Sequence, residues 1–267
     1  MSNQVISIMG CGWLGFPLAE KLVETGWTVK GSTTTKDKIQ LMEQAGIIPF
    51  YITADPEPAG DRVDNFFQAD ILFWNIPPGV RGGEKDKVDF RNQTKSILEH
   101  VKKAGIKHVI FVSSTSVYPD KAQIMTEEDA GPASSLSGEA LLEAESLLLS
   151  QKEFNTIILR LGGLFGAGRH PAYYLSGRKN VSKPEAPVNM VHLDDVIAAC
   201  EKVLEALPEH QVYNIVSDNH PTRREFYTEA CKELNLEAPE FDNSKETGKK
   251  ISNEKIKKEL FFRFQNR

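Results

Sequence analysis

The sequence contains few cysteines. Cys11, Cys200 and Cys231 are the three thiols in 267 residues, and they lie far apart. Their spacing is typical neither of a disulfide scaffold nor of a zinc site. The six histidines are scattered in the same way, so no metal site is predicted. Reduced thiols are the simplest interpretation, and they indicate a cytoplasmic protein.

The sequence also lacks a positive charge excess and long apolar runs. Lys and Arg number 32 against 37 Asp and Glu, which gives a formal net charge of −5. A nucleic-acid-binding surface needs the opposite sign, so no nucleic-acid partner is expected. No apolar run approaches the roughly 18 residues of a membrane span, and no basic stretch precedes the short apolar run at the N-terminus. We therefore expect neither a membrane partner nor a signal peptide.

Short apolar runs alternate with longer segments of helical periodicity. The predicted strands are Val5–Met9, Thr28–Gly31, Ile47–Ile52, Ile71–Asn75, His108–Val112, Thr156–Leu161 and Val212–Val216. The predicted helices are Leu14–Glu24, Lys36–Gln44, Glu84–Lys103, Gly138–Ser150, Leu193–Leu207, Thr222–Leu234 and Asn253–Leu260. This alternation predicts an α/β fold with a Rossmann-like, doubly wound parallel sheet.

The strand pattern also predicts a division of the chain. Residues 1–165 and 187–217 carry the strands and should form the core. Residues 166–186 and 218–267 carry little strand pattern and are predicted to form a small substrate lobe in the same structural unit. Ligands of such sheets bind at the carboxyl ends of the strands, so this lobe should cover the site.

A glycine-rich loop follows the first predicted strand. It reads Gly10-Cys11-Gly12-Trp13-Leu14-Gly15, and a helix is predicted to start inside it. The first glycine would allow a tight turn, the second a close approach of pyrophosphate, and the third close packing of helix on strand. The helix N-terminus would favour the phosphates. We predict a dinucleotide site here; the alternative is a glycine turn without a ligand.

The end of the second strand indicates which dinucleotide. Ser32, Thr33, Thr34 and Lys36 lie there, and no carboxylate occurs before Asp37. Hydroxyl groups and a lysine suit a 2′-phosphate, whereas NAD sites usually place Asp or Glu on the ribose. NADP is predicted and NAD remains possible. Alternatively, the threonines only cap the following helix.

Two further strand ends should contribute to the site. Asn75, Ile76 and Pro77 form a rigid turn expected beside the adenosine. Arg81 lies in the loop that follows, where a solvated position is the simpler interpretation. Ser113 and Ser114 end the next strand, and polar groups there should point at the nicotinamide end of the cofactor.

Five motifs, in order, resemble the epimerase/dehydratase branch of the extended short-chain dehydrogenase/reductase superfamily. They are FVSSTSVY at 111–118, TIILRLGGLFGAGRHP at 156–171, VNMVHLDDVIAA at 188–199, VYNIVSD at 212–218 and ISNEKIKKEL at 251–260. The chain is most similar to an atypical subgroup with a Gly-Trp-Leu-Gly loop and a Gly-Arg-His-Pro turn. The resemblance implies NAD(P) binding, a small hydroxyl or carbonyl substrate, and a role for Ser114 in orienting the substrate oxygen.

The sequence departs from that branch in two ways. Its loop is GxGxxG instead of GxxGxxG, which is closer to β-hydroxyacid dehydrogenases. Such an enzyme would need a lysine such as Lys179 or Lys183 at the nicotinamide.

The superfamily's Tyr-x-x-x-Lys pair is also absent. Alignment places the tyrosine position at Ser135 or Ser137 and the lysine position at Glu139 or Leu141.

Without that pair, hydride transfer to a carbonyl needs another proton source. The candidates are His170, Tyr118, Tyr173, Tyr174 and a water held by Ser114. His170 suits proton transfer because imidazole titrates near neutrality. Arg169 and Tyr173 are predicted to bind the substrate, although Arg169 and His170 alternatively only order a loop.

Three functions remain open from the sequence. The first is an NADP-dependent oxidoreductase or epimerase-like enzyme with a relocated proton donor. The others are a non-catalytic NADP-binding sensor or scaffold, and a β-hydroxyacid dehydrogenase-like enzyme. A monomer or a homodimer is expected.

Overall fold

The computed structural model describes residues 4–79 and 84–266, and Arg81 lies outside the described residues. Its helices are α1 Gly15–Glu24, α2 Lys38–Gln44, α3 Val63–Phe67, α4 Glu84–Ala104, α5 Leu136–Leu149, α6 Ala172–Leu175, α7 Leu193–Ala206, α8 Arg223–Glu233 and α9 Glu254–Glu259. Short 3-10 helices cover Thr115–Val117 and Glu127–Asp129.

The strands of the main sheet are β1 Val5–Met9, β2 Thr28–Thr33, β3 Ile48–Ala54, β4 Pro58–Gly60, β5 Ile71–Trp74, β6 His108–Ser114, β8 Asn155–Leu161 and β11 Gln211–Ile215. Four shorter strands, β7 Ile124–Met125, β9 Gly163–Phe165, β10 Met190–His192 and β12 Lys250–Ile251, form two separate pairs, β7–β12 and β9–β10.

Within the described residues, eight strands form one sheet in the order β11-β8-β6-β5-β1-β2-β3-β4. Every pairing in it is parallel except that of β3 with β4. The strand order reverses between β1 and β5, and ligands of open α/β sheets bind at that point. The predicted Rossmann-like fold is confirmed.

Apolar residues cover both faces of the sheet. Ile71 and Phe73 face one core with α1 and α7, while Leu72 and Trp74 face a second core with α4 and α5. All four side chains are fully buried, so β5 shows no alternation of apolar and polar residues. This double burial explains why the sequence pattern indicated a parallel sheet.

The predicted strands and helices that carry the site all form. The second strand continues two residues further than predicted, to Thr33, and α2 starts at Lys38 instead of Lys36. The sequence did not predict α3, α6 or the short strands, because elements of two to five residues carry too little periodicity. The C-terminal segment also returns to the main core, where Ile256 and Phe262 are buried. The division into core and lobe remains a prediction.

Candidate dinucleotide site

The glycine loop connects β1 to α1 at the switch point of the sheet. Gly10 has a φ of +101°, and a Cβ there would lie 2.8 Å from the carbonyl oxygen of Asn75. A Cβ on Gly15 would lie 2.2 Å from the carbonyl oxygen of Gly10. No atom lies within 4 Å of the Cβ position at Gly12. The loop is therefore tight at both ends and open at Gly12, as close approach of a pyrophosphate requires.

The ends of β2 and β5 hold this loop in place. The backbone N–H of Gly10 donates to Ser32 Oγ at 2.9 Å, and Asn75 Nδ2 donates to the carbonyl oxygen of Gly10 at 3.2 Å. Cys11 contributes through its backbone, because its N–H donates to the carbonyl oxygen of Ser32 at 2.8 Å. Its side chain is buried against Gly31, and burial raises the pKa of the thiol to about 12. Cys11 is thus a core residue and not a reactive thiol.

A cavity of about 300 Å³ lies beside the loop at the end of β2. Its lining comprises Gly10, Cys11, Gly12, Ser32, Thr33, Thr34, Thr35, Lys38, Ile52, Ala54, Asn75, Ile76 and Pro77. The predicted residues of β2 are therefore gathered here, except that Lys38 takes the place of Lys36. Lys36 Nζ lies 5.5 Å from the ring centre of Tyr51. The sequence missed Lys38 because it placed the start of α2 two residues too early.

A second cavity, of about 450 Å³, continues from the first and shares four of its lining residues, Gly12, Asn75, Ile76 and Pro77. It extends past the carboxyl ends of β5, β6 and β8. The rest of its lining is Trp13, Leu14, Pro78, Val112, Ser113, Ser114, Ser116, Ser137, Leu141, Leu161, Gly162, Leu164 and Arg169. We call this space the serine cavity.

The serine cavity shows which residues stand where the superfamily has its tyrosine and lysine. Ser137 and Leu141 are four residues apart on α5 and both line the cavity with Ser114. Ser135 instead caps the helix, since its Oγ accepts from the N–H of Gly138 at 3.1 Å. Of the two alignments that the sequence allowed, the one that pairs Ser137 with Leu141 therefore places both residues at the serine cavity. Neither side chain is an acid or base near neutral pH.

A buried network lies beneath the serine cavity. Ser113 Oγ donates to Glu145 Oε1 at 2.5 Å, and Arg160 forms an ion pair with Glu145 at 2.7 Å. Arg160 and Glu145 are 4% and 2% exposed. Arg160 Nη1 also donates to the hydroxyl of Tyr118 at 2.9 Å. The sequence missed Glu145 and Arg160, because two charges far apart in the chain carry no signal of pairing.

Tyr118 does not reach the serine cavity. Its side chain is fully buried, and its hydroxyl donates to Asn214 Oδ1 at 2.5 Å. Burial raises the pKa of this phenol to about 12, although the neighbouring Arg160 opposes the shift. A phenol held in this way has no path to a substrate proton, so the candidate role of Tyr118 in catalysis is not supported.

His170 also lies elsewhere. Its Nε2 is 3.1 Å from Glu233 Oε2, and its Nδ1 accepts from the N–H of Ala172 at 3.3 Å. Both ring nitrogens are thus occupied. His170 lines a separate cavity, which Ser114 does not line. The structure does not bring the predicted proton donor to Ser114.

Of the two predicted substrate contacts, Arg169 lines the serine cavity and Tyr173 does not. The Arg169 guanidinium lies 4.4 Å from the ring centre of Trp13, whose Nε1 donates to the carbonyl oxygen of Ala167 at 2.6 Å. The 166–169 turn therefore rests on the glycine loop. Tyr173 is 69% exposed and lines none of the three cavities considered so far.

The two candidate lysines of a hydroxyacid dehydrogenase form ion pairs outside these cavities. Lys179 bonds Glu237 and Glu240, and Lys183 bonds Asp120 at 2.7 Å. Neither lines the serine cavity or the cavity at the end of β2. The β-hydroxyacid dehydrogenase interpretation therefore loses the lysine on which it depended.

The two joined cavities fit a dinucleotide. The open face of Gly12 lies where they meet, with polar groups of β2 on one side and the serines of β6 and α5 on the other. A family of proteins described as NAD(P)H-binding matches residues 10–206. The chain belongs to this NAD(P)H-binding family. NAD(P) is thereby confirmed as the cofactor class.

A curated relative of this family member is Protein YeeZ of Escherichia coli strain K12. The two are 36% identical over 264 residues, which cover 97% of this chain and 95% of YeeZ. The similarity extends across the glycine loop, the strand ends and the C-terminal segment.

Solved structures share the fold at low sequence identity. MoeE5 in complex with UDP-glucose and NAD has a TM-score of 0.81 and 18% identity, covering 99% of this chain and 94% of that one. UDP-glucose 4-epimerase from Thermotoga maritima, with UDP-glucose, has a TM-score of 0.78 and 17% identity, covering 98% and 94%. With the family match, these neighbours confirm the resemblance to the extended short-chain dehydrogenase/reductase superfamily.

Membrane-spanning helices and metal sites are both absent from the described residues. Among residues 4–79 and 84–266, no helix is long and apolar enough to cross a membrane. The same residues contain no group of three or more His, Cys, Asp or Glu side chains arranged to hold a metal ion.

Proposed function

We propose that this protein is an NADP-dependent oxidoreductase or epimerase-like enzyme that acts on a small hydroxyl or carbonyl substrate without a tyrosine–lysine pair. One observation carries the proposal. The serine cavity continues beyond the glycine loop to Ser114, Ser137 and Arg169, which leaves polar groups beyond the phosphates to hold a substrate. A bound nicotinamide supplies or accepts hydride.

The side chains of the serine cavity define what the protein contributes. Ser114 and Ser137 offer hydroxyl groups that orient a substrate oxygen or a water. The positive charge of Arg169 suits an anionic group of the substrate. Among the cavity-lining residues that the structure describes, Arg169 alone carries an ionisable side chain. Water held by the two serines is therefore the proposed proton source.

NADP is the proposed form of the cofactor. The described lining at the end of β2 contains hydroxyl groups and Lys38, and it contains no carboxylate. Such a set donates hydrogen bonds to a 2′-phosphate and offsets its charge. Lys36, which the sequence favoured, is exposed beside Tyr51.

The second candidate is a non-catalytic NADP-binding sensor or scaffold. It is favoured by the bonds that Tyr118 and His170 already make, because these leave no side-chain acid at Ser114. A fold that binds a cofactor does not by itself perform chemistry.

The first experiment is a titration of the full chain with NADPH and NADH, followed by Trp fluorescence and by calorimetry. Trp13 lies in the glycine loop, so the signal should change on binding, and a Trp13→Phe variant assigns it. The expected result is selective NADPH binding, followed by turnover in a screen of carbonyl and hydroxyl compounds. Binding without turnover would favour the sensor. Failure to bind either nucleotide, reduced or oxidised, would overturn both candidates.

A further inference from the structure

Two neighbouring serines at the end of β6 line the serine cavity, and their hydroxyl groups are bonded differently to the protein. A serine hydroxyl has one proton to donate and two lone pairs that accept. What a ligand meets depends on which of these the protein has already used. The bonds of Ser113 and Ser114 therefore determine whether each serine presents a donor or an acceptor to an occupant of the cavity.

The hydroxyl proton of Ser113 is directed into the protein interior. Its Oγ donates to Glu145 Oε1 at 2.5 Å, and the residue is 4% exposed. Glu145 is ion-paired with Arg160, whose Nε and Nη2 donate to the carboxylate at 2.7–3.2 Å, and an ionised carboxylate only accepts. Among residues 4–79 and 84–266, no group donates to Ser113 Oγ. Its lone pairs are therefore what Ser113 can offer to the cavity.

The carboxylate of Glu145 is in turn held in place by Arg160. Arg160 Nη1 donates to the hydroxyl of Tyr118 at 2.9 Å and to the carbonyl oxygen of Glu127 at 2.7 Å. The guanidinium cannot turn away from Glu145 without breaking these buried bonds, which is costly. Glu145 does not itself line the serine cavity. It is a positioning residue that sets the direction of the Ser113 hydroxyl.

Ser114 has the opposite arrangement. Its Oγ accepts from the backbone N–H of Ser116 at 3.1 Å, as the cap of the short 3-10 helix. Its proton makes no hydrogen bond within the part of the chain that the structure describes. Ser114 thus presents a donor, which suits a carbonyl oxygen, whereas Ser113 presents an acceptor, which suits an N–H group.

We propose that Ser113, oriented by Glu145, accepts a hydrogen bond from the carboxamide N–H of the nicotinamide. The serine cavity runs from the open face of Gly12 past the end of β6, which is the direction from a pyrophosphate to its nicotinamide. The amino group of a carboxamide donates, as the fixed acceptor of Ser113 requires. This inference rests on the proposed function, because it needs the nicotinamide in the serine cavity.

The test compares NADP⁺ with its 3-acetylpyridine analogue by calorimetry on the full chain. The analogue keeps the carbonyl oxygen and has a methyl group in place of the amino group. NADP⁺ should bind about tenfold more tightly, because the analogue leaves the buried acceptor unpaired. Ser113→Ala should weaken NADP⁺ about tenfold and leave the analogue within about twofold, so that the preference is lost. Ser113→Thr keeps the hydroxyl and should retain the preference.

Ser114→Ala is the matched control, since the neighbouring serine presents its proton and both dinucleotides keep the carbonyl oxygen. It should change the two affinities by the same factor. Glu145→Gln tests the positioning role. When the new amide turns its carbonyl oxygen to Arg160, its N–H group faces Ser113 and the Ser113 proton turns to the cavity. The preference for NADP⁺ should then be lost as in Ser113→Ala, and the Ser113 variants decide the matter if Glu145→Gln does not fold.

The outcomes separate this inference from the proposed function. Equal binding of NADP⁺ and its analogue to the wild-type chain, or a preference that survives Ser113→Ala, would overturn the role of Ser113 and leave the dinucleotide site in place. If NAD⁺ is the tighter ligand, NAD⁺ and its own 3-acetylpyridine analogue provide the same comparison. Failure to bind any of these dinucleotides would overturn the proposed function and this inference with it.

Discussion

Gly12 and Gly15 are three residues apart in the same loop, yet their surroundings differ. A methyl group on Gly15 would overlap the backbone of Gly10, whereas one on Gly12 would meet no protein atom. At the scale of single residues, Gly15 serves the packing of the loop and Gly12 serves the approach of a ligand. The sequence motif implied both roles, and the structure separates them.

Substitution by alanine should distinguish these two roles. Gly15→Ala should lower the free energy of unfolding by about 1–3 kcal/mol through overpacking. Gly12→Ala should change it by no more than about 0.5 kcal/mol, yet weaken dinucleotide binding by at least about tenfold, or about 1.4 kcal/mol. Urea unfolding and NADPH titration of both variants measure these effects. Unchanged NADPH affinity in Gly12→Ala would contradict the placement of the pyrophosphate.

Lys38 and Lys36 provide a matched pair for the choice of cofactor. Lys38→Ala should weaken NADPH binding about tenfold, since a charge-assisted contact to phosphate contributes about 1.5–3 kcal/mol. Binding of NADH should change little. Lys36→Ala should leave both affinities within about twofold. Equal losses for NADPH and NADH in Lys38→Ala would argue against a 2′-phosphate at this position.

Ser32 is unsuited to that comparison. Its hydroxyl accepts the N–H of Gly10, and the residue is 3% exposed. Removing the hydroxyl would disturb the glycine loop, so the affinities for both nucleotides should fall together.

Among the elements, α5 illustrates how one helix serves both core and site. Ser137 and Leu141 face the serine cavity, and Glu145, one turn further on, lies beneath it and bonds Ser113. The sequence allowed two alignments of this helix with the superfamily's tyrosine and lysine positions, because a helix period alone does not show which face meets the sheet. Packing of α5 against β6 selects the register that ends in Glu145.

Two glutamates on this helix should respond differently to neutralisation. Glu145→Gln leaves Arg160 buried without its charged partner, which should cost about 3–5 kcal/mol of unfolding free energy. Glu143 forms a pair with Arg91 at 3.0 Å near the surface, so Glu143→Gln should cost no more than about 1 kcal/mol. Urea unfolding of both variants measures the difference. Similar small losses would show that the buried pair is not required for stability.

For the whole molecule, alkaline pH should be destabilising. Burial raises the pKa of Cys11 and Tyr118 to about 12 and shifts that of Cys200 in the same direction. Unfolded thiols titrate near pH 9. Above that pH the unfolded chain binds fewer protons than the folded one. The contribution of these buried protonated groups to the free energy of unfolding is therefore complete below about pH 9 and is lost as pH rises.

Cys11 and Cys200 should each remove about 1.4 kcal/mol of unfolding free energy at about pH 10, one unit above the unfolded pKa of a thiol. Urea unfolding under reducing conditions at about pH 7.5 and about pH 10 measures this loss. Cys200→Ala removes one titrating group from the core, so its stability should fall less between the two pH values than that of the wild-type protein. The same decrease in both proteins would contradict a contribution from Cys200.

The sequence alone determined the parallel sheet, its main helices and the end of the sheet at which the candidate dinucleotide site lies. These follow from local patterns: apolar runs such as Ile71–Trp74, the spacing of Gly10, Gly12 and Gly15, and the order of the family motifs. Each pattern acts within a few residues of chain. Periodicity and turn chemistry are therefore sufficient to predict them.

Only the tertiary structure decided which polar residues share a cavity. His170 and Arg169 are adjacent in sequence, yet they line different cavities because the turn directs their side chains apart. Tyr118 follows the serine motif but points into the core, where Arg160 and Asn214 hold it. Such placements depend on contacts between residues 42 to 96 positions apart, and no local pattern specifies them.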